Sequence, residues 1–333
     1  MEPFFLLKKL FIPLIVVNLF GLSACSSESA ITALPATVVL LDISRSSANF
    51  EGTYNEEDHS PSSLSERKKQ LEQNVKNAIS SRTAVYFGFV RNGYGVTEIA
   101  TLVPATLILE IESVLKQEIL NDKIKKEAKE GISEAWQSAV NQEQISQDSC
   151  STETVAQKIV QSSNATISTF NAEKIAGKLC SGARNSIYQF DQLESGPENI
   201  GSDIQAAIDR SLQKIASDQR RLINSDGKNV QLIPTLIVIS DLIQVTNGLS
   251  KTNEVSKTSE PKFACELARD ESKNFTPSFL GSVALISDGF AGTKKEVNST
   301  DRDKLKKYWE CWFETRGITD IDIGAKGIDI GAL

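Results

Sequence analysis

Asp42, Ser44 and Ser46 stand at alternate positions where the apolar run Thr37-Val-Val-Leu-Leu ends. One carboxylate and two hydroxyls are hard oxygen donors, the kind magnesium takes in a shell of about six at roughly 2.1 Å while keeping several of its waters. The pattern reads as a buried strand delivering metal ligands to a sheet edge. Asp and Ser are common residues, so the spacing alone says little and position must supply the specificity.

Position comes from a second strand of the same kind. Leu232-Ile-Pro-Thr-Leu-Ile-Val-Ile239 is a continuous apolar run, as a central parallel strand buried on both faces would be, and it ends in Ser240-Asp241. Around these two runs the chain alternates. A helix is expected from about Ser62 to Ser80, with Leu64, Leu71, Val75 and Ile79 on one face and Pro61 near its first turn. Ala84 to Val90 and Gly95 to Val103 flank Asn92-Gly93, a hairpin signal that predicts an antiparallel edge strand.

From about 105 to 185 the sequence turns polar and helix-favouring, in Leu107 to Val140 and Glu153 to Leu179, and reads as a helical insertion whose charged residues are solvated faces. Gly201-Ser202-Asp-Ile204 then opens a helix with Ile204, Ala207, Ile208, Leu212 and Ile215 on one face. Phe279 to Ile286 is a further strand. Asp301 to Arg316 is a last helix, with Thr300 as its cap, Gly317 as its end, and Leu305, Tyr308, Trp309, Trp312 and Phe313 on its inner side. The tail repeats Ile-Asp-Ile-Gly-Ala from Ile321 and again from Ile328, and reads as a final strand and an exit. Strands alternating with helices predict an α/β fold with an open, mostly parallel sheet covered on both faces. Such sheets bind ligands at the carboxyl ends of their strands, so Asp42 and Asp241 converge on one edge.

The amino terminus carries a separate signal. Lys8 and Lys9 precede an apolar stretch, Leu10 to Phe20, too short to span a bilayer comfortably, followed by Leu22-Ser23-Ala24-Cys25. This resembles a bacterial lipobox, which implies cleavage after Ala24 and a lipidated Cys25 holding the chain to a membrane through more than one acyl chain. The expected organisation is a signal peptide over 1–24, a tether over 25–35 and one domain over 36–333. Ser26 after the cysteine favours the outer membrane where there is one, and the chain is expected to be exported and anchored in the cell envelope.

Removing Met1 to Ala24 takes away Lys8, Lys9 and Glu2, so the formal charge of -7 becomes -8. An acidic domain of this kind is a poor partner for nucleic acid. Cys150, Cys180, Cys265 and Cys311 remain, and export places them in an oxidising compartment. Four cysteines allow three pairings. Cys150 with Cys180 and Cys265 with Cys311 are favoured, since each pair falls inside one structural region. Zinc would need other ligands, because no C-x-x-C occurs and His59 is the single histidine.

Asp42, Ser44, Ser46, Ser202 and Asp241 resemble the metal-ion-dependent adhesion site of the von Willebrand factor A family, over most of the mature chain apart from the helical insertion. The resemblance implies a Rossmann-like fold and a divalent cation, usually Mg2+, with Mn2+ or Ca2+ as substitutes. Ser44 and Ser46 would bind it directly, and Asp42 and Asp241 through water and hydrogen bonds. An open position would accept an Asp or Glu carboxylate from a protein partner, in adhesion or envelope assembly. Without the cation the two aspartates would repel that carboxylate. The family carries threonine where this chain has Ser202, whose other reading is a helix N-cap with Gln205 completing a capping box.

The catalytic inventory is thin. His59 lies in the acidic turn Asn-Glu-Glu-Asp-His-Ser-Pro, and neither G-x-x-x-x-G-K-[ST] nor H-E-x-x-H occurs. Glu51, Glu56, Glu57 and Asp58 read as a solvated loop. A haloacid-dehalogenase-type phosphotransferase would need an acid where Ser44 stands. The expectation is a binding module and no enzyme. The alternatives are a metal-assisted hydrolase using Asp42 and Asp241, or a metal-free structural lipoprotein.

Overall fold

The two apolar runs do form neighbouring parallel strands in the computed structural model, with Leu41 level with Ile239. The structure describes residues 32–42, 71, 73, 75, 77–90, 98–140, 150–164, 166–194, 202–226, 230–242, 245–246, 249–279, 281–288 and 299–325, all within the unit Ile31–Leu333. The strands are β1 (Thr32–Asp42), β2 (Ala84–Val90), β3 (Ala100–Val103), β4 (Val230–Ile239), β5 (Val245–Thr246), β6 (Leu249–Ser250), β7 (Val283–Asp288) and β8 (Ile318–Ala325). The helices are α1 (Ala105–Glu118), α2 (Asp122–Val140), α3 (Thr152–Ser162), α4 (Thr169–Glu194), α5 (Ile204–Asp226), α6 (Lys251–Ser256), α7 (Pro261–Glu271) and α8 (Ser299–Glu314). Leu71, Gln73, Val75 and Asn77 are also helical, ahead of β2, and the rest of the helix expected from Ser62, as far as Gln70, lies outside the described residues.

Six strands form one sheet in the order β3-β2-β1-β4-β7-β8. Every neighbouring pair is parallel except β2 with β3 at the edge. β5 and β6 form a separate two-stranded ribbon. The chain fills the sheet outward from β1 on one side and from β4 on the other. This is the Rossmann-like order, in which the β1/β4 junction is the switch point where a crevice opens beyond the carboxyl ends.

β1 begins at Thr32, so Thr32 to Pro35, expected in the tether, are paired with Val230 to Ile233 of β4. Leu34 is fully buried there, and that burial favours strand over free linker. β4 is less enclosed than its apolar run suggests: Gln231 and Ile233 near its start are exposed, and only its last four residues are continuously buried. β3 runs over Ala100–Val103, with Glu98 and Ile99 ahead of it not in strand, while Asn92-Gly93 and Gly95 to Thr97 lie outside the described residues. β7 starts at Val283, after the buried Phe279.

The polar stretch after β3 folds as four helices, α1 to α4, running on to Glu194. Trp136 of α2 is fully buried and its indole N–H donates to the carbonyl of Val75 at 2.9 Å, tying these helices to the segment ahead of β2. Gly182 of α4 lies so close to β3 that a Cβ there would stand 2.8 Å from the Leu102 carbonyl oxygen. On α5 the expected face of Ile204, Ala207, Ile208, Leu212 and Ile215 is wholly buried. Each of the larger side chains there contributes about 1.5–3 kcal/mol.

α8 buries Leu305, Tyr308, Trp309, Trp312 and Phe313 as expected, with Trp309 stacked on Phe313 at 5.4 Å between centroids. It starts at Ser299, so Thr300 is inside the first turn and is not the cap. Gly317 ends it at φ +79, a left-handed conformation glycine adopts without steric cost. Disulfides join Cys150 to Cys180 and Cys265 to Cys311, the latter linking α7 to α8. They fit an oxidising compartment. Among the described residues no helix is long and apolar enough to cross a membrane.

Candidate functional site

β1 is hydrogen-bonded to β2 on one side and β4 on the other, so the position of its last residue is fixed by two ladders. That residue is Asp42, which is fully buried. Burying a carboxylate is costly unless donors surround it. Ser202 supplies one: its hydroxyl lies 2.8 Å from Oδ1 and 2.9 Å from Oδ2 of Asp42. Ser240 supplies another, donating to Oδ2 at 2.7 Å. Asp241 follows at once and is also fully buried.

Ser202 is free for this contact because it is not the cap of α5. Asp203 does that work, its Oδ1 accepting the backbone N–H of Ala206 at 3.0 Å. Gln205 completes no capping box with Ser202; its amide donates to the Tyr308 hydroxyl at 2.6 Å. The reading of Ser202 as the helix cap, which was compatible with its reading as a ligand, is thereby corrected. Two oxygen-bearing side chains stood next to each other, and the second one took the helix end.

Ser240 is the residue that sequence reasoning missed. With Leu41 level with Ile239, the next pair along the two strands is Asp42 and Ser240, and side chains at one level of a sheet share a face. The sequence signal was the serine just before Asp241. Only the register turns it into a partner of Asp42.

Ser240 also shapes the turn beyond Asp241. Its Oγ accepts the backbone N–H of Leu242 at 3.0 Å, and Leu242 sits at φ +56. A left-handed leucine is strained by roughly 1–3 kcal/mol and persists only where its surroundings hold it. Here they do so from both ends, since the Trp309 indole N–H donates to the Leu242 carbonyl at 2.9 Å. Strain of this kind clusters at functional sites.

From the site a polar stripe continues along α5. After Ser202 come Gln205, bonded to Tyr308, and Asp209, whose Oδ1 is 3.2 Å from Nε of Arg316. Tyr308 in turn donates to Glu271 Oε2 at 2.6 Å. Burial first, and then Glu271, push the Tyr308 phenol well above its ordinary range. Burial also raises Asp209 above the usual carboxylate range, against the pull of Arg316. The Arg316 guanidinium stacks 3.6 Å over the Trp312 ring.

Of the expected site residues, Asp42, Ser202 and Asp241 are brought to one edge. Ser44, Ser46 and Cys25 lie outside the described residues, as do His59 and the acidic loop around it. Among the described residues no group of three or more His, Cys, Asp or Glu side chains gathers. The donors at this edge are carboxylate and hydroxyl oxygens. A hydroxyl that gives its proton to Asp42 turns its lone pairs outward, so Ser202 suits a hard cation better than it suits zinc. No protein-family model matches the chain, and no curated protein is similar to it in sequence.

Proposed function

We propose that this chain is a lipid-anchored, von Willebrand factor A-like module that binds a protein partner through a divalent cation held at the β1/β4 edge. The observation that carries the reading is the Asp42 carboxylate, buried at the switch point and bonded by the hydroxyls of Ser202 and Ser240. In this reading Ser44, Ser46 and Ser202 offer hydroxyl oxygens, while Asp42 and Asp241 neutralise the ion and orient its waters. The cation would supply the positive charge that accepts a partner's Asp or Glu. Asp42 keeps both serine protons pointed inward, and the Ser240–Leu242–Trp309 bonds fix the loop that carries Asp241.

Linkage tests the reading without knowledge of the partner. A cation that binds only the folded chain raises its melting temperature in proportion to the logarithm of free ion. Mg2+ or Mn2+ should raise the melting temperature of the chain from Ser26 onward, and Asp42→Ala should abolish the rise. Equal shifts in both proteins would place the ion elsewhere and refute the reading.

A further inference from the structure

α8 reaches both loops that flank Asp42. Its Trp309 donates to the Leu242 carbonyl at 2.9 Å, in the loop that carries Asp241. The neighbouring Tyr308 hydroxyl accepts the Gln205 amide at 2.6 Å, in the first turn of α5 and three residues from Ser202. Both aromatic residues are fully buried. A shift of α8 therefore disturbs the Asp241 loop and the Ser202 end of α5 together.

α7 holds α8 in place. Cys311 follows Tyr308 by three positions, so the two share one side of α8, and its disulfide runs to Cys265 within α7. The polar bonds of this joint gather nearly two helical turns further on, at the carboxyl end of α7. There Glu271 Oε2 accepts the Tyr308 hydroxyl at 2.6 Å, and the Ser272 hydroxyl accepts from the Thr315 hydroxyl at 3.0 Å and from the Arg316 guanidinium. Opening the disulfide frees the earlier part of α7 from α8 and leaves Glu271 and Ser272 to hold the joint. Cys150–Cys180 is placed differently, joining the start of α3 to α4 among the helices after β3.

We propose that the Cys265–Cys311 bond is a redox-sensitive control on the Asp42 edge. Oxidised, it fixes α8 so that Trp309 and Tyr308 position the Asp241 loop and Ser202. Reduced, it loosens both and weakens the cation. The inference rests on the cation reading of that edge. The reductant is a dithiol: one thiolate attacks a cysteine sulfur, the second thiol resolves the mixed disulfide, and two cysteine thiols and a cyclic disulfide result. Cys265 and Cys311 are 6 % and 1 % exposed, so reduction requires α7 to part from α8. Coupling between binding equilibria is reciprocal, so a cation strengthened by the closed joint must oppose reduction by the same factor.

Two measurements on the chain from Ser26 onward test this. In titrations with Mg2+ and Mn2+, the Cys265→Ser/Cys311→Ser protein should bind about fivefold more weakly than the parent, or worse. The Cys150→Ser/Cys180→Ser protein should bind as the parent does, which separates positioning from a general loss of stability. The second measurement needs no variant to fold. In a dithiothreitol redox buffer read by mass mapping, saturating cation should shift the Cys265–Cys311 equilibrium toward the disulfide by the same factor and leave Cys150–Cys180 unmoved. Equal affinity in all three proteins, or equal protection of both disulfides, would overturn the proposal and leave the cation reading standing. A parent that binds neither ion would overturn both.

Discussion

Ser202 and Asp42 lie 160 positions apart in the chain, yet the Ser202 hydroxyl stands 2.8 and 2.9 Å from the two oxygens of the Asp42 carboxylate. The contact joins the end of β1 to the start of α5 across the switch point of the sheet. It is the structural reason for treating two otherwise ordinary residues as one site.

Ser240 ties this contact to the β4 loop, by one bond to Asp42 and one from Leu242. Ser240→Ala leaves a buried backbone N–H without its acceptor and removes a donor from a buried carboxylate. A loss of about 1–3 kcal/mol is expected in urea unfolding. Cation binding should weaken with it.

Trp309 and Trp136 each donate one indole bond to a backbone carbonyl, of Leu242 and Val75 respectively. Phenylalanine at either position removes the donor and part of the buried ring. Trp309→Phe should therefore cost about as much stability as Trp136→Phe, in the range of 1–3 kcal/mol for the lost bond. Only Trp309→Phe should also weaken the cation, because only Leu242 belongs to the loop that carries Asp241. Calorimetric titration of both variants checks the difference.

The two disulfides close segments of 30 and 46 residues. Closure entropy depends on the logarithm of length, so removal of either pair should cost a similar amount, about 2–4 kcal/mol. Thermal melts of the Cys150→Ser/Cys180→Ser and Cys265→Ser/Cys311→Ser proteins measure it. Mass mapping of the unreduced chain should find no free thiol among the four.

Glu118 gives the fold a modest acid sensitivity. Partial burial pushes its carboxyl up, but the Ser168 N–H, the Asn171 amide and the Ser168 hydroxyl outweigh this and hold it below the ordinary value of 4.5. A folded-state pKa below the unfolded one gives stability that is present above 4.5 and lost as pH falls through the folded value. Solvent screening keeps the contribution small. Urea midpoints should therefore separate the parent from Glu118→Gln at neutral pH and converge well below 4.5.

The fold was legible because its signals were local and strongly periodic. The runs ending at Leu41 and Ile239 are too apolar to be anything but interior strands, and the α5 face from Ile204 to Ile215 follows a clear helical spacing. The limits of elements were harder. Thr32 to Pro35 look like a tether and become strand only through pairing with β4, and Thr300 and Ser299 suit a helix start equally well. At the site, Asp42 and Asp241 were visible because each ends an apolar run. Ser240 was hidden, since its role depends on the register between two strands 198 residues apart at the contact. The Leu242 conformation was hidden as well, since leucine carries no signal for a left-handed turn.

The central claim is that Asp42 anchors a cation, and isothermal titration with Mg2+ and Mn2+ addresses it most directly. The chain from Ser26 onward should bind one ion per molecule, and Asp42→Ala should lose that binding while keeping a cooperative thermal transition. A parent that binds neither ion, or an Asp42→Ala protein that binds as tightly as the parent, would contradict the account.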